Sequence, residues 1–340
     1  MTKDFHLERN EVMRSVKLLL ENKCDNFNEC ALKVFNFQSR YNPLYVEFIE
    51  LLQANLSVID HYSKIPCMPV DFFKHRIIKA GKWNEKMVFK SSGTTGQKRS
   101  HHYVNSPKWY SEVCVNTFES IYGPMEDYQW IGLLPNYIQQ KDSSLVYMVS
   151  EFINRSENSK CCGLFSGIDE SFKKVLNCAV ESDKKTVLIG VSFALLDLAE
   201  IRECLLTDNF IVMETGGMKG RRREMTRLEL HRTLSESLGL DRIHSEYGMT
   251  EIFSQAYSEG NGLFSPGPLM RVITREINDP LSLEKMGKAG GINIIDLANY
   301  DTLPFISTMD IGVLRENNQF EVMGRLDGSE MRGCNLMYFS

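Results

Sequence analysis

An α/β fold with mostly parallel sheets, a helical N-terminal layer and a small C-terminal β region is what this sequence predicts. Three observations carry that expectation. Apolar runs alternate with amphipathic stretches from residue 186 to 247, a helical period dominates the first sixty residues, and short apolar runs follow Gly290.

In the N-terminal segment, Val12, Val16, Leu19 and Leu20 fall on one helical face, and Leu44, Phe48, Leu51 and Leu52 form a second apolar set. Prolines 66 and 69 end that pattern, and a strand MVFK then leads into the glycine-bearing loop SSGTTGQKR. Further on, TVLIGV reads as a buried strand, Phe193 to Leu206 as a helix, and FIVMET as a strand. Glu224 to Leu238 reads as a helix ended by Gly239, and RIHSEY as the next strand. This β-α-β-α-β order implies parallel strands with right-handed crossovers, and ligands of such sheets bind beyond the carboxyl ends of the strands. Gly216-Gly217 and Tyr247 to Glu251 both fall at such ends. The runs INIIDL, TLPFIST, IGVL and FEVMGRL then predict β structure closing the fold as a smaller sheet. The expected division is a helical layer over 1–60, a core over 61–323 and a hinge-like motif with tail over 324–340.

Composition narrows the function. With 39 Lys and Arg against 44 Asp and Glu, the chain lacks the basic excess that nucleic-acid binding needs, so no nucleic-acid partner is expected. The start MTKDFHLERNE has no apolar signal region, and no stretch reaches the roughly 18 apolar residues of a membrane helix. Nine cysteines are scattered without a Cys-x-x-Cys pair, which fits free thiols in a reducing cytoplasm.

Two motifs carry chemistry. Ser91, Ser92, Gly93, Thr94, Thr95, Gly96, Gln97 and Lys98 form a run of hydroxyls and glycines ending in a cation, suited to a polyphosphate because glycine admits close backbone approach and N–H and O–H groups then donate to oxygens. Only two residues separate the glycines, so this is not the Walker pattern. A flexible turn is the plain alternative. In Tyr247-Gly248-Met249-Thr250-Glu251 a ring suited to stacking, a phosphate-binding hydroxyl and a Mg²⁺-binding carboxylate lie within five residues; a Tyr-Gly turn with a solvated Glu would give the same pentapeptide.

In order along the chain, SSGTTG, YGMTE, STMDIG and GRLDG resemble the adenylate-forming superfamily of acyl-CoA synthetases and peptide-synthetase adenylation domains. The resemblance spans residues 91 to 333. More narrowly, FKSSGTTGQKRSHHYV, QKDSSLVYMV, METGGMKGRRRE, IHSEYGMTE and GCNLM look like the acyl-protein synthetase family, the LuxE type of bacterial luminescence operons. That resemblance implies that Ser91 to Lys98 cradle the phosphates of ATP, that Gly216, Gly217 and Met218 border the adenine and the acyl carboxylate, and that Tyr247 stacks on the base. It further implies that Thr250 binds the α-phosphate, Glu251 ligates Mg²⁺, and Asp310 and Arg325 hold the ribose. Without it, Asp310 reads as a turn cap and Arg325 as a surface cation. The run KGRRR at 219–223 stays unassigned, His101 and His102 read as structural or substrate-facing, and Tyr137 is a candidate at the acyl pocket.

Larger members of the superfamily carry a lid domain with a catalytic lysine after the GRxD hinge. This chain ends fifteen residues beyond Arg325, so the expectation is a fold without that lid, leaning on Lys98, Mg²⁺ and the basic run. Cys334 matches the position where acyl-protein synthetases carry a thioester. A free thiol has a pKa of about 8.5, and a cation such as Arg332 raises its thiolate fraction. The implied reaction is ATP-dependent activation of a carboxylic acid, expected to be an acyl chain, followed by transfer to a protein thiol, with a reductase or carrier as the acceptor. A compact CoA ligase of the phenylacetate type and a non-catalytic nucleotide-binding module remain the alternatives.

Overall fold

The computed structural model describes residues 3–92, 98–140, 142–156, 160–201, 205–218, 222–223 and 225–326. The N-terminal layer consists of α1 (Lys3–Leu20), α2 (Phe27–Tyr41) and α3 (Pro43–Leu51). Val12, Val16, Leu19 and Leu20 make the buried stripe of α1, as their spacing predicts. Asn42 joins the next two helices: its backbone N–H closes α2 on Gln38, and its side chain accepts from the Tyr45 amide ahead of Pro43 at the first turn of α3. The buried face of α3 lies one position away from the predicted one. Tyr45 and Ile49 point inward and Leu51 is 77% exposed, because the Tyr45 hydroxyl reaches the Pro66 carbonyl at 2.7 Å and its ring packs on Phe35 and Phe305.

After β1 (Met68–Pro69) and the single turn α4 (Phe72–His75), β2 (Met87–Lys90) and β3 (His101–Val104) pair antiparallel, with Lys90 opposite His101. Ser91, Ser92 and Lys98 therefore lie at the open end of this hairpin. Next come α5 (Pro107–Tyr122), capped by Ser106, β4 (Tyr128–Leu133), α6 (Ser144–Arg155), β5 (Gly163–Phe165) and α7 (Glu170–Val180). The alternation read from the sequence follows as β6 (Lys185–Val191), α8 (Ser192–Ile201), β7 (Phe210–Thr215), α9 (Arg227–Leu238) and β8 (His244–Tyr247). Thr226 and Glu229 form a reciprocal capping box that starts α9, and Gly239 ends it in the left-handed conformation (φ 75°), where a side chain would be strained.

β5, β4, β6, β7 and β8 are parallel neighbours in that order. The chain then runs through β9 (Ala256–Ser258), β10 (Leu263–Pro266), β11 (Met270–Arg275), β12 (Ala289–Asp296), β13 (Phe305–Leu314) and β14 (Phe320–Arg325), all antiparallel. These C-terminal strands do not stand apart as a smaller sheet. β9 and β10 link them to β8, giving one mixed twelve-stranded sheet in which β1 pairs with β13. The helices pack over buried parallel strands, and Phe118 of α5 sits at the centre against Tyr128, Trp130, Phe152 and Tyr257. Among the described residues no helix is long and apolar enough to cross a membrane.

One expectation about the cysteines is corrected. Cys161 and Cys178 are joined in a disulfide, while Cys24, Cys30, Cys67, Cys114 and Cys162 are free. Packing of β5 and α7 beside β4 brings the two Cα atoms within 5.3 Å across 17 residues, a proximity that linear spacing without a motif does not reveal.

The N-terminal layer is fastened to the sheet by buried polar contacts. Asn42 Nδ2 donates to Thr302 O at 2.8 Å, Gln38 Nε2 to Tyr300 O at 2.7 Å, and Arg9 makes a two-pronged pair with Asp301 at 2.7 and 2.6 Å. An Asn42→Ala replacement leaves the buried Thr302 carbonyl and Gln38 amide short of a partner. It is expected to cost at least about 2 kcal/mol in urea denaturation, with the m-value unchanged.

Candidate active site

The parallel strands deliver their carboxyl ends to one edge of the sheet. By register Leu133 of β4 lies beside Gly190 of β6, Val191 beside Thr215 of β7, and Thr215 beside Glu246 of β8. The segments that continue from those ends, including Gly216–Met218 and Tyr247–Glu251, therefore line up as neighbours. Gly216 has a positive φ of 71°, and its carbonyl accepts from Ser192 Oγ at 3.2 Å. Nothing lies within 4 Å of where a Cβ on Gly216 or Gly217 would be, so backbone faces open space here, while Met218 is buried.

Tyr247 is half-buried. Its ring meets Phe264 and Phe320 edge-on, and its hydroxyl donates to Asp310 Oδ2 at 2.7 Å. Asp310 of β13 stands opposite Arg325 of β14, whose Nε is 3.5 Å from Asp310 Oδ1. Tyr247, Asp310 and Arg325, 78 residues apart in the chain at their extremes, thus form one polar group. The sequence offered Asp310 and Arg325 only through the family motifs.

Thr250 and Glu251 follow in a turn. Glu251 is buried; desolvation raises its carboxyl above the ordinary carboxylate range, opposed by a hydrogen bond from the Ser100 side chain. A carboxylate held uncomfortably in this way fits one ligand position of Mg²⁺, which takes one or two protein carboxylates and fills its remaining positions with phosphate and water oxygens. Among the described residues no cluster of three or more His, Cys, Asp or Glu side chains is arranged for a metal ion. That excludes a dedicated protein cage from the described part, not a shared phosphate site.

The hairpin tip meets this turn through its base. Ser91 and Ser100 close the hairpin, with Ser100 N donating to Ser91 Oγ at 2.9 Å, and Arg99 ties Lys90 and Ser91 carbonyls to Gln140 and Asp142. Ser100 then touches Glu251, and His102 Nδ1 lies 2.7 Å from Thr250 O. Ser92 and Lys98 are exposed on either side of the tip. Gly93, Thr94, Thr95, Gly96 and Gln97 lie outside the described residues, as do Lys219, Arg221, Arg332 and Cys334.

His102 is a site residue that sequence reading left undecided. It is fully buried, stacks on Phe253 at 4.7 Å, and places Nε2 3.0 Å from Thr302 Oγ1. Asn299 Nδ2 donates to Glu251 O at 3.0 Å, and the Asp296 carboxylate accepts from Phe253 N, Ser254 N and Ser254 Oγ. Together these groups fix the backbone of 250–254. Alternation within HHYV was the available signal, since it turns His102 inward and His101 outward. His101 is only partly buried.

A second set of carboxylates lies just inside the strand ends. Burial pushes Glu214 up, but His231, Arg227 and Ser245 outweigh it and leave the group below its ordinary value. Glu246 goes the other way: desolvation and the charge of Glu214 push it up to about 7 against a hydrogen bond from Thr215 Oγ1. A groove of about 660 Å³ bounded by Pro43, Leu44, Ile77, Lys79 and Trp83 lies on the N-terminal layer and shares no residue with these strand ends.

With this geometry in place, solved structures supply the comparison. A 2-hydroxyisobutyryl-CoA ligase bound to 2-HIB-AMP and CoA aligns with a TM-score of 0.65 at 10% identity, over 88% of this chain and 70% of the ligase. The fold is that of the adenylate-forming enzymes. ATP-bound MatB from Rhodopseudomonas palustris gives a TM-score of 0.51 at 17% identity, and an AMP complex of O-succinylbenzoate coenzyme A synthetase from Bacillus subtilis gives 0.50 at 17%. Each of these two covers 70% of this chain, which in turn spans about half of their lengths, 47% and 49%. No family model and no curated protein sequence matches the chain.

Two histidines give the folded state a pH dependence. Burial lowers both His102 and His244 to about 4, against roughly 6.5 when unfolded. The unfolded chain therefore binds more protons between pH 6.5 and 4, and their contribution to stability is lost as pH falls through that window, by up to about 1.4 kcal/mol per pH unit for each. Glu246 works against them, since a carboxyl raised to about 7 gains stability as pH falls from 7 towards 4.5 and offsets one histidine's share there. Urea midpoints measured from pH 7 to 4 should therefore show the net slope of about one proton, and His244→Gln should remove one proton's share of it.

Proposed function

We propose that this protein uses ATP to convert a carboxylic acid into its acyl adenylate and then passes the acyl group to a thiol. The observation that carries the reading is the meeting, at one sheet edge, of the hairpin base, the glycine pair after β7, the Tyr247–Glu251 turn and the Asp310–Arg325 pair. These are the positions that the resemblance assigns to phosphates, adenine, α-phosphate and ribose, and they lie on the adenylate-forming fold. The same division of labour puts adenylation in residues 61–323 and the transfer in the 324–340 tail.

In the proposed reaction a carboxylate oxygen attacks the α-phosphorus of ATP, the bond to the bridging oxygen breaks, and pyrophosphate leaves. The glycine-lined edge at 216–217 admits the nucleotide, the half-buried Tyr247 ring takes the base, and Asp310 with Arg325 takes the ribose hydroxyls. Thr250 Oγ1 donates to the α-phosphate, whose in-line displacement builds charge on oxygens that the resemblance assigns to Lys98 and the Ser91–Thr95 hydroxyls. Glu251 would hold Mg²⁺, which supplies charge neutralisation at the phosphates when bound. In the second step the Cys334 thiolate attacks the acyl carbonyl carbon, the carbon–oxygen bond to phosphate breaks, and AMP leaves. The thioester is then delivered to a reductase or carrier protein. Bracing of 250–254 by His102, Asn299 and Asp296 holds the reacting turn in place.

The test uses the whole chain with ATP, Mg²⁺ and labelled acids, with and without CoA. Pyrophosphate exchange should depend on an acid and fall about 100-fold in Thr250→Val and in Lys98→Ala. Intact mass should reveal an ATP-dependent adduct, released by hydroxylamine and missing in Cys334→Ser. Acyl-CoA formed equally by wild type and Cys334→Ser would select the CoA-ligase reading instead, and nucleotide binding with no exchange would select a non-catalytic module.

A further inference from the structure

We propose that the acid carries a hydrogen-bond-donating substituent, an amine or a hydroxyl, which is received beneath the Gly248 turn by Glu246, Tyr257 and Gln255. This names the substrate class of the site proposed above and rests on that reading. Thr215, Glu246 and Tyr257 are direct register partners across β7, β8 and β9, so their side chains stand in one row on one face of the sheet. Helix α5 covers that face, with the rings of Phe118 and Tyr122 against Tyr257 at 6.0 and 5.6 Å.

An apolar acyl tunnel would be expected to place apolar side chains here. Instead the layer holds a carboxylate 7% exposed, a phenol 1% exposed and a carboxamide 3% exposed. Among the described residues Tyr257 Oη and Gln255 Oε1 have no hydrogen-bond partner, while Gln255 Nε2 is already committed to Phe253 O at 2.8 Å. Buried polar atoms are almost always paired, so two orphans beside a buried carboxylate point to a group that completes them. Among the described residues Glu246 receives only the Thr215 hydroxyl, and no cation pairs with it.

The unsatisfied capacity is one-sided. Gln255 Oε1 can only accept, Glu246, pushed up to about 7, accepts in its ionised form, and Tyr257 can do either, so a donor is the partner that suits all three and holds Glu246 ionised. Position ties the cluster to the reacting turn: a Cβ on Gly248 would collide with Glu246 Oε1 and sit 3.7 Å from Gln255 Cγ, two residues before Thr250.

Pyrophosphate exchange by the full chain, with chain-length-matched sets of plain, hydroxy- and amino-substituted acids, tests this without any variant. At least one substituted acid should exceed its plain counterpart roughly 100-fold in kcat/KM, because a site built to hydrogen-bond a substituent rejects the analogue that lacks it. The hydroxy and amino arms tell the two donors apart. Glu246→Gln and Tyr257→Phe should each reduce that ratio at least tenfold with KM for ATP unchanged. Plain acids used as well as every substituted one, or a preference that survives both variants, overturns the inference and leaves adenylation standing; the cluster then holds buried water only. No exchange with any acid overturns both.

Discussion

Everything at the proposed site depends on a brace of buried hydrogen bonds between the turn at 296–302 and the segment 250–254. Asp296 takes two backbone amides and a hydroxyl from Phe253 and Ser254, Asn299 donates to the Glu251 carbonyl, and His102 bridges Thr250 O to Thr302 Oγ1. A strand-end turn with no such support would lie exposed on its own backbone, and its hydroxyl and carboxylate would have no fixed direction. Because these donors and acceptors are desolvated, each pair is costly to break. The helical layer matters for the same reason: Gln38, Asn42 and Arg9 hold the far side of the 296–302 turn. It is a buttress for the site two contacts removed.

Two buried glutamates in consecutive strands show how the fold assigns different tasks to one residue type. Glu214 faces α9, where Arg227 lies 3.4 Å and His231 3.7 Å away, and it is stabilised as an anion. Glu246, on the opposite face, has a hydroxyl and a second carboxylate for company and is destabilised as an anion. The alternation of a strand separates them, and only the faces they meet decide which is held as an anion and which is pushed towards its neutral form.

Much of the fold was legible in the sequence because its signals are local. The buried stripe of α1, the strand at FIVMET and the helix closed by Gly239 follow from periodicity and capping chemistry that a short window contains. The inward face of α3 and the Cys161–Cys178 bond were not legible. Both are settled by partners far away in the chain, Phe305 for Tyr45 and the packing of β5 and α7 for the cysteines. The same holds within the site. Tyr247, Thr250 and Glu251 could be singled out from their own pentapeptide, whereas His102 and Glu246 look like any histidine and any glutamate until their neighbours are known.

By itself the sequence determined the order of strands and helices and the placing of glycines, hydroxyls and carboxylates at strand ends, since chain-local sterics and hydrophobic period govern those. Tertiary structure alone decided that the C-terminal strands continue the parallel sheet, that Asp310 and Arg325 converge on Tyr247, and that Glu246 shares a buried layer with Tyr257 and Gln255. Those outcomes depend on which faces meet after folding, and burial among distant partners is what converts an ordinary side chain into a brace, a ligand or a receptor.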